Sequence, residues 1–183
     1  MSKKPYFEPL QIGSETLSLT HLEPFTFVVD SVKAKKKLRI RVTFSNHCFT
    51  KRFYPGTEPA GLPLLDTDTL RPRILCPVRY RLSYQLPELI ASIQAPGARV
   101  LQTSARRNWA YSIQIEDPKG PYHVFFELSR SGKHQKAWQD LNLVVESAYH
   151  EDPEGEKPTF IGKVGFLVLC GKVYLGEPVA TKR

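Results

Sequence analysis

Between Tyr122 and His150 the chain reads YHVFFELSR (122–130), GKHQKAWQD (132–140) and LNLVVESAYH (141–150): an apolar run, a polar Gly-bearing gap, then a second apolar run. Two β-rich runs joined through such a gap read as paired strands. Along the second, Leu141, Leu143, Val145, Ser147 and Tyr149 recur with period two and are expected on one face. The run ends in Ser-Ala-Tyr-His, which puts polar chemistry at the edge of a packed sheet.

Working outward, RVLQTSARRNWAYSIQIED (99–117) reads as a further hairpin turning between Ser104 and Asn108, with Arg106 and Arg107 at its tip. Toward the C-terminus, FIGKVGFLVLCGKVYLGEPVA (160–180) reads as two closing strands meeting near Cys170 and Gly171, with Phe166, Val168 and Cys170 on one face. Leu86, Pro87 and Glu88 open a short helix whose Leu89, Ile90 and Ile93 face a core, and it is expected to be the longest helix. Residues 55–70 are rich in Pro, Gly and Asp and read as a long loop. Residues 15–30 hold one or two strands, and residues 1–14 form a loose arm. The chain is therefore expected to be one α+β domain over 15–183, mainly antiparallel β-sheet with one or two short helices.

With 183 residues, 41% hydrophobic and 24% charged, the chain can bury a full core and is not of the disordered class. No window approaches the apolar length of a membrane span, and MSKKPYFEPL carries no apolar signal core. A soluble cytoplasmic protein with no membrane partner is the expectation. Cys48, Cys76 and Cys170 are odd in number and widely spaced, so three free thiols are expected, with no disulfide framework, no zinc and no cofactor.

Charge is unevenly placed. Residues 1–110 carry 17 Lys and Arg against 8 Asp and Glu, a net of +9, whereas residues 111–183 carry 9 against 10, a net of −1. RNA or single-stranded DNA is the expected partner of such a basic portion. From Leu38 onward apolar residues alternate with Arg39 and Arg41, so the two arginines share a face about 7 Å apart. Together with Lys35, Lys36 and Lys37 they read either as a backbone-binding stripe or as a lysine-guarded edge strand. Arg71, Arg73, Arg79 and Arg81 gather around Tyr80 and Tyr84, the composition that holds phosphates while stacking bases; the alternative is arginines solvating a loop above packed tyrosines. His47 and Cys48 are neighbours on an extended segment and point apart, which argues against a shared metal.

Walker and dinucleotide glycine loops, H-E-x-x-H, G-x-S-x-G and the close carboxylate sets of two-metal nucleases are absent from the sequence. What it does hold is His, Arg, Tyr and Ser on a basic β-rich scaffold, an inventory suited to metal-independent RNA cleavage by general acid–base chemistry.

The segments FSNHCFT, RPRILCPVRYRLSYQLPELI, NWAYSIQI, YHVFFELSR, LNLVVESAYHED and KVYLGEP resemble a family of small uncharacterised bacterial proteins carried on integrative and other mobile elements. More distantly, the hairpin ending V-V-E-S-A-Y is similar to the last strands of the RelE, EndoU and barnase-like ribonucleases, where a Ser or Thr followed by Tyr closes the sheet. In those enzymes a His, an Arg and a Ser, Thr or Tyr line one concave face. The resemblance implies Ser147 and Tyr149 by motif, and His47 and Arg79 by residue type and order. His47 would be the base, Arg79 the phosphate stabiliser, and Ser147 with Tyr149 would position the scissile group. Two other readings stay open: a non-catalytic nucleic-acid-binding or protein-interaction module of a mobile element, and an inhibitor docking on a host protein. A cognate inhibitor or a host protein is then a further partner.

Overall fold

A computed structural model describes residues 4–67, 69–104, 108–152, 155 and 157–179. The apolar runs on either side of the Gly132 gap are β10 (Lys119–Arg130) and β11 (Leu141–His150), paired antiparallel as expected. β10 also pairs with β9 (Asn108–Glu116), and β9 with β8 (Arg99–Thr103). β12 (Phe160–Gly165) closes that side against β8. On the other side β11 lies parallel to β4 (Lys36–Phe44), which pairs antiparallel with β3 (Phe25–Ser31). The sheet order is therefore β12-β8-β9-β10-β11-β4-β3, with β11 and β4 the parallel pair.

β4 is consequently an interior strand. The edge-strand reading of its lysines fails because β3 and β11 occupy both its flanks, and Leu38, Ile40, Val42 and Phe44 are fully buried.

A smaller sheet joins β5 (Thr50–Arg52), β7 (Arg73–Leu75) and β6 (Leu64–Leu65), the last lying within the long loop. The stretch read as an arm contains β1 (Leu10–Ile12), hairpinned onto β2 (Glu15–Leu17), and Phe7 packs edge-on against Phe49 at 5.2 Å.

The α+β class holds, with three α-helices among the described residues. α1 (Pro77–Ser83) begins on a proline, whose missing N–H costs nothing in a first turn. α2 (Leu86–Ser92) is the helix expected around Pro87. The third helix corrects the sequence reading. Residues expected to form a closing strand pair instead form β12 and then α3 (Phe166–Leu175), which is longer than α2. Phe166, Leu169 and Cys170 are buried while Val168 is 46% exposed, a helical spacing that a short apolar run conceals. Gly176, at φ +75, ends the helix in the left-handed conformation. Gly171 lets α3 approach the β3–β4 turn: a Cβ there would lie 2.8 Å from both Lys33 Cβ and Ser31 Oγ.

A second correction concerns β11. Phe125 faces Ser147 while Phe126 faces Val145, so Glu146 is an extra residue in the ladder. The bulge inverts the alternation. Leu141, Leu143, Val145 and then Ala148 enter the core, and Ser147 and Tyr149 turn to the other face.

The core contains one hydroxyl with no hydrogen-bond partner among the described residues, that of the fully buried Tyr122. Burial pushes its pKa up, and an unmet donor is a standing cost. Tyr122→Phe is therefore expected to leave stability unchanged or raise it by about 1 kcal/mol. A urea titration showing a loss above roughly 1 kcal/mol would mean that the hydroxyl has a partner after all.

Candidate active site beside the end of strand β11

β4 stops at Phe44 whereas β11 continues to His150, so beyond Val145 no strand among the described residues flanks β11 on that side. A tight turn, Asn46–Cys48, takes the place. Ser45 N donates to Val145 O at 2.9 Å, Ser45 Oγ donates to the Glu146 carbonyl, and Cys48 Sγ approaches Val145 O at 3.7 Å. Ser45 Oγ also accepts from His47 N at 3.1 Å, capping the turn and fixing where His47 leaves the chain.

Two arginines converge on this turn. Arg79, in α1, donates through Nη1 to the carbonyls of Thr50 (3.0 Å) and His47 (3.3 Å). Arg73, in β7, donates through Nε to Thr50 Oγ1 (2.6 Å) and through Nη2 to Thr50 O (2.9 Å). The Arg79 guanidinium carbon lies 5.2 Å from the Tyr149 ring centroid, within cation–π range. Arg79 thus links the His47 backbone to the Tyr149 ring.

The electrostatics are those of a cationic site that the Asp66 carboxylate offsets only in part, at Arg73 and at His47. Burial lowers the pKa of both guanidinium groups, and Arg79 lowers that of Arg73 further. Among the described residues neither makes an ion pair. Partial burial of the His47 ring lowers its pKa, Arg73 and Arg79 add to this, and Asp66 opposes it. Asp66 is itself held by Asn46 Nδ2 at 2.7 Å. His47 keeps its solvent access, and the lowered pKa favours the neutral imidazole that a proton acceptor needs.

Ser147 and Tyr149 line a cavity of about 320 Å³ with Thr103, Asn108, Phe125 and Glu146. The bulge that turned them away from the core put them there. Asn108 Nδ2 donates to Glu146 Oε2, and Phe125 stacks on the Tyr149 ring at 5.3 Å. Beside this cavity runs a hydrogen-bonded chain that the sequence did not disclose. Ser112 Oγ lies 2.7 Å from His123 Nδ1, and His123 Nε2 lies 2.9 Å from Glu151 Oε2, with Lys157 bonded to the same carboxylate. The bond from His123, then Lys157, holds the Glu151 carboxyl below its ordinary pKa. His123 is 4% exposed among the rings of Phe125, Tyr149 and Phe160, so this chain braces Tyr149 from behind. His123 faces Ser112 only because of the β9–β10 register, which no local pattern announces.

The cations read as nucleic-acid contacts divide sharply. Lys36 and Arg39 bind Asp140 at 3.0 Å each, and Arg39 also donates to the carbonyls of Ala137 and Lys136. Arg81 pairs with Asp117 at 2.6 Å, and Arg73 is tied to Thr50. Lys35, Lys37, Arg41 and Arg71 make no side-chain hydrogen bond or ion pair among the described residues, and Lys35, Lys37 and Arg71 are exposed. Arg106 and Arg107 lie outside the described residues. Tyr80 and Tyr84 are occupied with each other through their hydroxyls at 2.7 Å, and His21 stacks on Tyr84 at 3.8 Å, so they form a packed aromatic group.

Cys48 and Cys170 are buried, Cys76 is half-buried, and all three are free thiols. Among the described residues no group of three His, Cys, Asp or Glu could hold a metal ion, and no helix is long and apolar enough to cross a membrane.

Fold and site together define an α+β protein built on one mixed seven-stranded sheet, with His47, Arg79 and Tyr149 brought together beside the end of β11. The chain belongs to the YjaZ family, whose model matches residues 9–174. No curated protein and no solved structure matches it significantly.

Proposed function

We propose that the site formed by His47, Arg73, Arg79 and Tyr149, with Ser147 in the cavity that Tyr149 also lines, cleaves RNA without a metal ion. The observation that carries this reading is the pair of half-buried arginines, one depressing the pKa of the other, with no carboxylate in ion-pair contact among the described residues. Such a site is relieved by an anion, and a phosphodiester is the anion that also gives work to a neutral imidazole. In the proposed reaction His47 removes the proton of the 2′-hydroxyl and the resulting oxygen attacks phosphorus. The 5′-oxygen leaves with a proton taken from water. Arg73 and Arg79 hold the negative charge that accumulates on the phosphoryl oxygens, and Ser147 with Tyr149 fixes the scissile group. The free thiols fit a reducing cytoplasm, where RNA is the substrate at hand. The segments from FSNHCFT to KVYLGEP resemble uncharacterised proteins of mobile elements, and a toxin or effector of such an element is the setting this reading takes.

The test is RNA incubated with the protein in excess EDTA, followed in wild type and in Tyr149→Phe. The substitution keeps ring packing and removes one hydroxyl, so stability changes by roughly 1 kcal/mol while cleavage falls at least about tenfold. No cleavage by wild type, with oligonucleotide affinity equal in both proteins, would select the non-catalytic binding module instead.

A further inference from the structure

At the far end of β4 from His47, the turn between β3 and β4 lies beside the loop between β10 and β11. The two are locked together by one buried carboxylate. Asp140, its side chain 7% exposed, accepts from Lys36 Nζ and from both the backbone N–H and the Nε of Arg39. Arg39 then donates to the carbonyls of Ala137 (2.7 Å) and Lys136 (2.9 Å), and Asp140 N donates back to Arg39 O (2.8 Å). This clamp makes a fixed platform of two loops. From it Trp138 projects 59% exposed and Val32 92% exposed, and Lys35, Lys37, Lys133 and Lys136, in or next to the same two loops, are exposed as well. Acids offer little compensation. Asp140 is consumed by the clamp, Glu177 is paired with Lys33 at 2.8 Å, and Asp30 faces Lys37 across the ladder without an ion pair among the described residues.

We infer that this platform is a second contact surface for single-stranded RNA, with Trp138 as a base-stacking face and the unpaired lysines as phosphate contacts. The inference rests on the reading of the His47 cluster as the cleavage site. A tryptophan more than half exposed amid unpaired lysines matches the chemistry of single strands, where stacking tolerates any base and cations track the backbone. The other tryptophan, Trp109, is 4% exposed, so exposure is particular to this loop. β4 connects the platform to the His47 turn over a span of about 27 Å, and Arg41, on the same face as Arg39, lies between them without a side-chain partner among the described residues. A strand of on the order of ten nucleotides reaches both places, and a dinucleotide reaches one. A lipid surface is the weaker occupant. Two isolated side chains on turns offer acyl chains far less apolar area than an amphipathic helix does.

Trp138 supplies a direct readout. Titrating a single-stranded deoxyoligonucleotide of about 12 residues, which lacks the attacking 2′-hydroxyl, is expected to quench tryptophan emission. Trp138→Phe removes the response, while Trp138→Ala weakens binding by about tenfold or more. Exchanging Lys35, Lys37 and Lys136 for Ala lowers the salt slope by about 0.7 for each phosphate left without its lysine. Unaltered affinity in these variants overturns the inference, as does quenching by phosphatidylserine vesicles but not by the oligonucleotide. Dinucleotide cleavage by wild type reads the His47 cluster by itself. Its absence alongside intact quenching leaves the platform standing and removes the cleavage site.

Discussion

His47→Gln is expected to lower RNA cleavage by about 10²- to 10⁴-fold, the range that a positioned general base supplies. Gln keeps a polar side chain of similar reach on a partly exposed turn. The turn itself is held by backbone groups and by Ser45 Oγ, so folding should be little affected. The pH profile gives the more specific check. Because partial burial, Arg73 and Arg79 lower the His47 pKa, the neutral base predominates already below the ordinary histidine value of about 6.5. In wild type kcat/KM should rise with pH along a limb lying below that value and then level, and in His47→Gln the limb should vanish. A variant that retains both rate and limb would show that another group takes the proton. Arg79→Lys offers a companion measurement. Lysine keeps the charge but not the planar guanidinium whose Nη1 reaches two carbonyls while its carbon lies over the Tyr149 ring, so it loses the link between the His47 backbone and that ring.

The second large effect falls on stability. Asp140→Ala is expected to cost about 2–3 kcal/mol, because it strands two cations and the Arg39 N–H that one carboxylate satisfies. The side chains of Lys36 and Arg39 are 40% and 36% exposed, so water offsets part of what a fully buried pair would lose. Although desolvation by burial raises the Asp140 pKa, the bonds from Arg39 and Lys36 outweigh it and bring the value down to about 2. A carboxyl depressed from about 3.9 in the unfolded chain contributes stability that is complete above that pH and is lost as pH falls toward 2. Urea titrations between pH 7 and pH 2 should therefore show wild type converging on Asp140→Ala in acid. Parallel curves, or a difference at pH 7 below about 0.5 kcal/mol, would mean that the clamp adds no stability.

The strand runs around β10 and β11, the hairpin of β8 and β9 and the helix behind Pro87 were legible because each is written in a local period or a local punctuation mark. The C-terminal segment was not. Phe166, Leu169, Cys170 and Val173 satisfy a helical spacing, while Phe166, Val168 and Cys170 satisfy a strand spacing, and ten residues are too few to separate the two. The helix packs with Gly171 against Lys33 and Ser31, residues far away in the chain that no local spacing could reveal.

The candidate site divides along the same line. Its residue types were readable: a basic first portion, His47, Arg79, and a strand ending in Ser147 and Tyr149. Their faces and partners were not. A single bulge at Glu146 inverts the alternation and moves Ser147 and Tyr149 out of the core, and Asp140 neutralises Lys36 and Arg39 from across the sheet, 104 and 101 residues distant. Local sequence thus determined the strands, the charge asymmetry and the stock of chemical groups, because backbone preference and hydrophobic period act between near neighbours. Only the tertiary structure decided which cations are spent on the fold and which stay open to an anion, because an ion pair depends on distance in space and a β-register on partners remote in the chain.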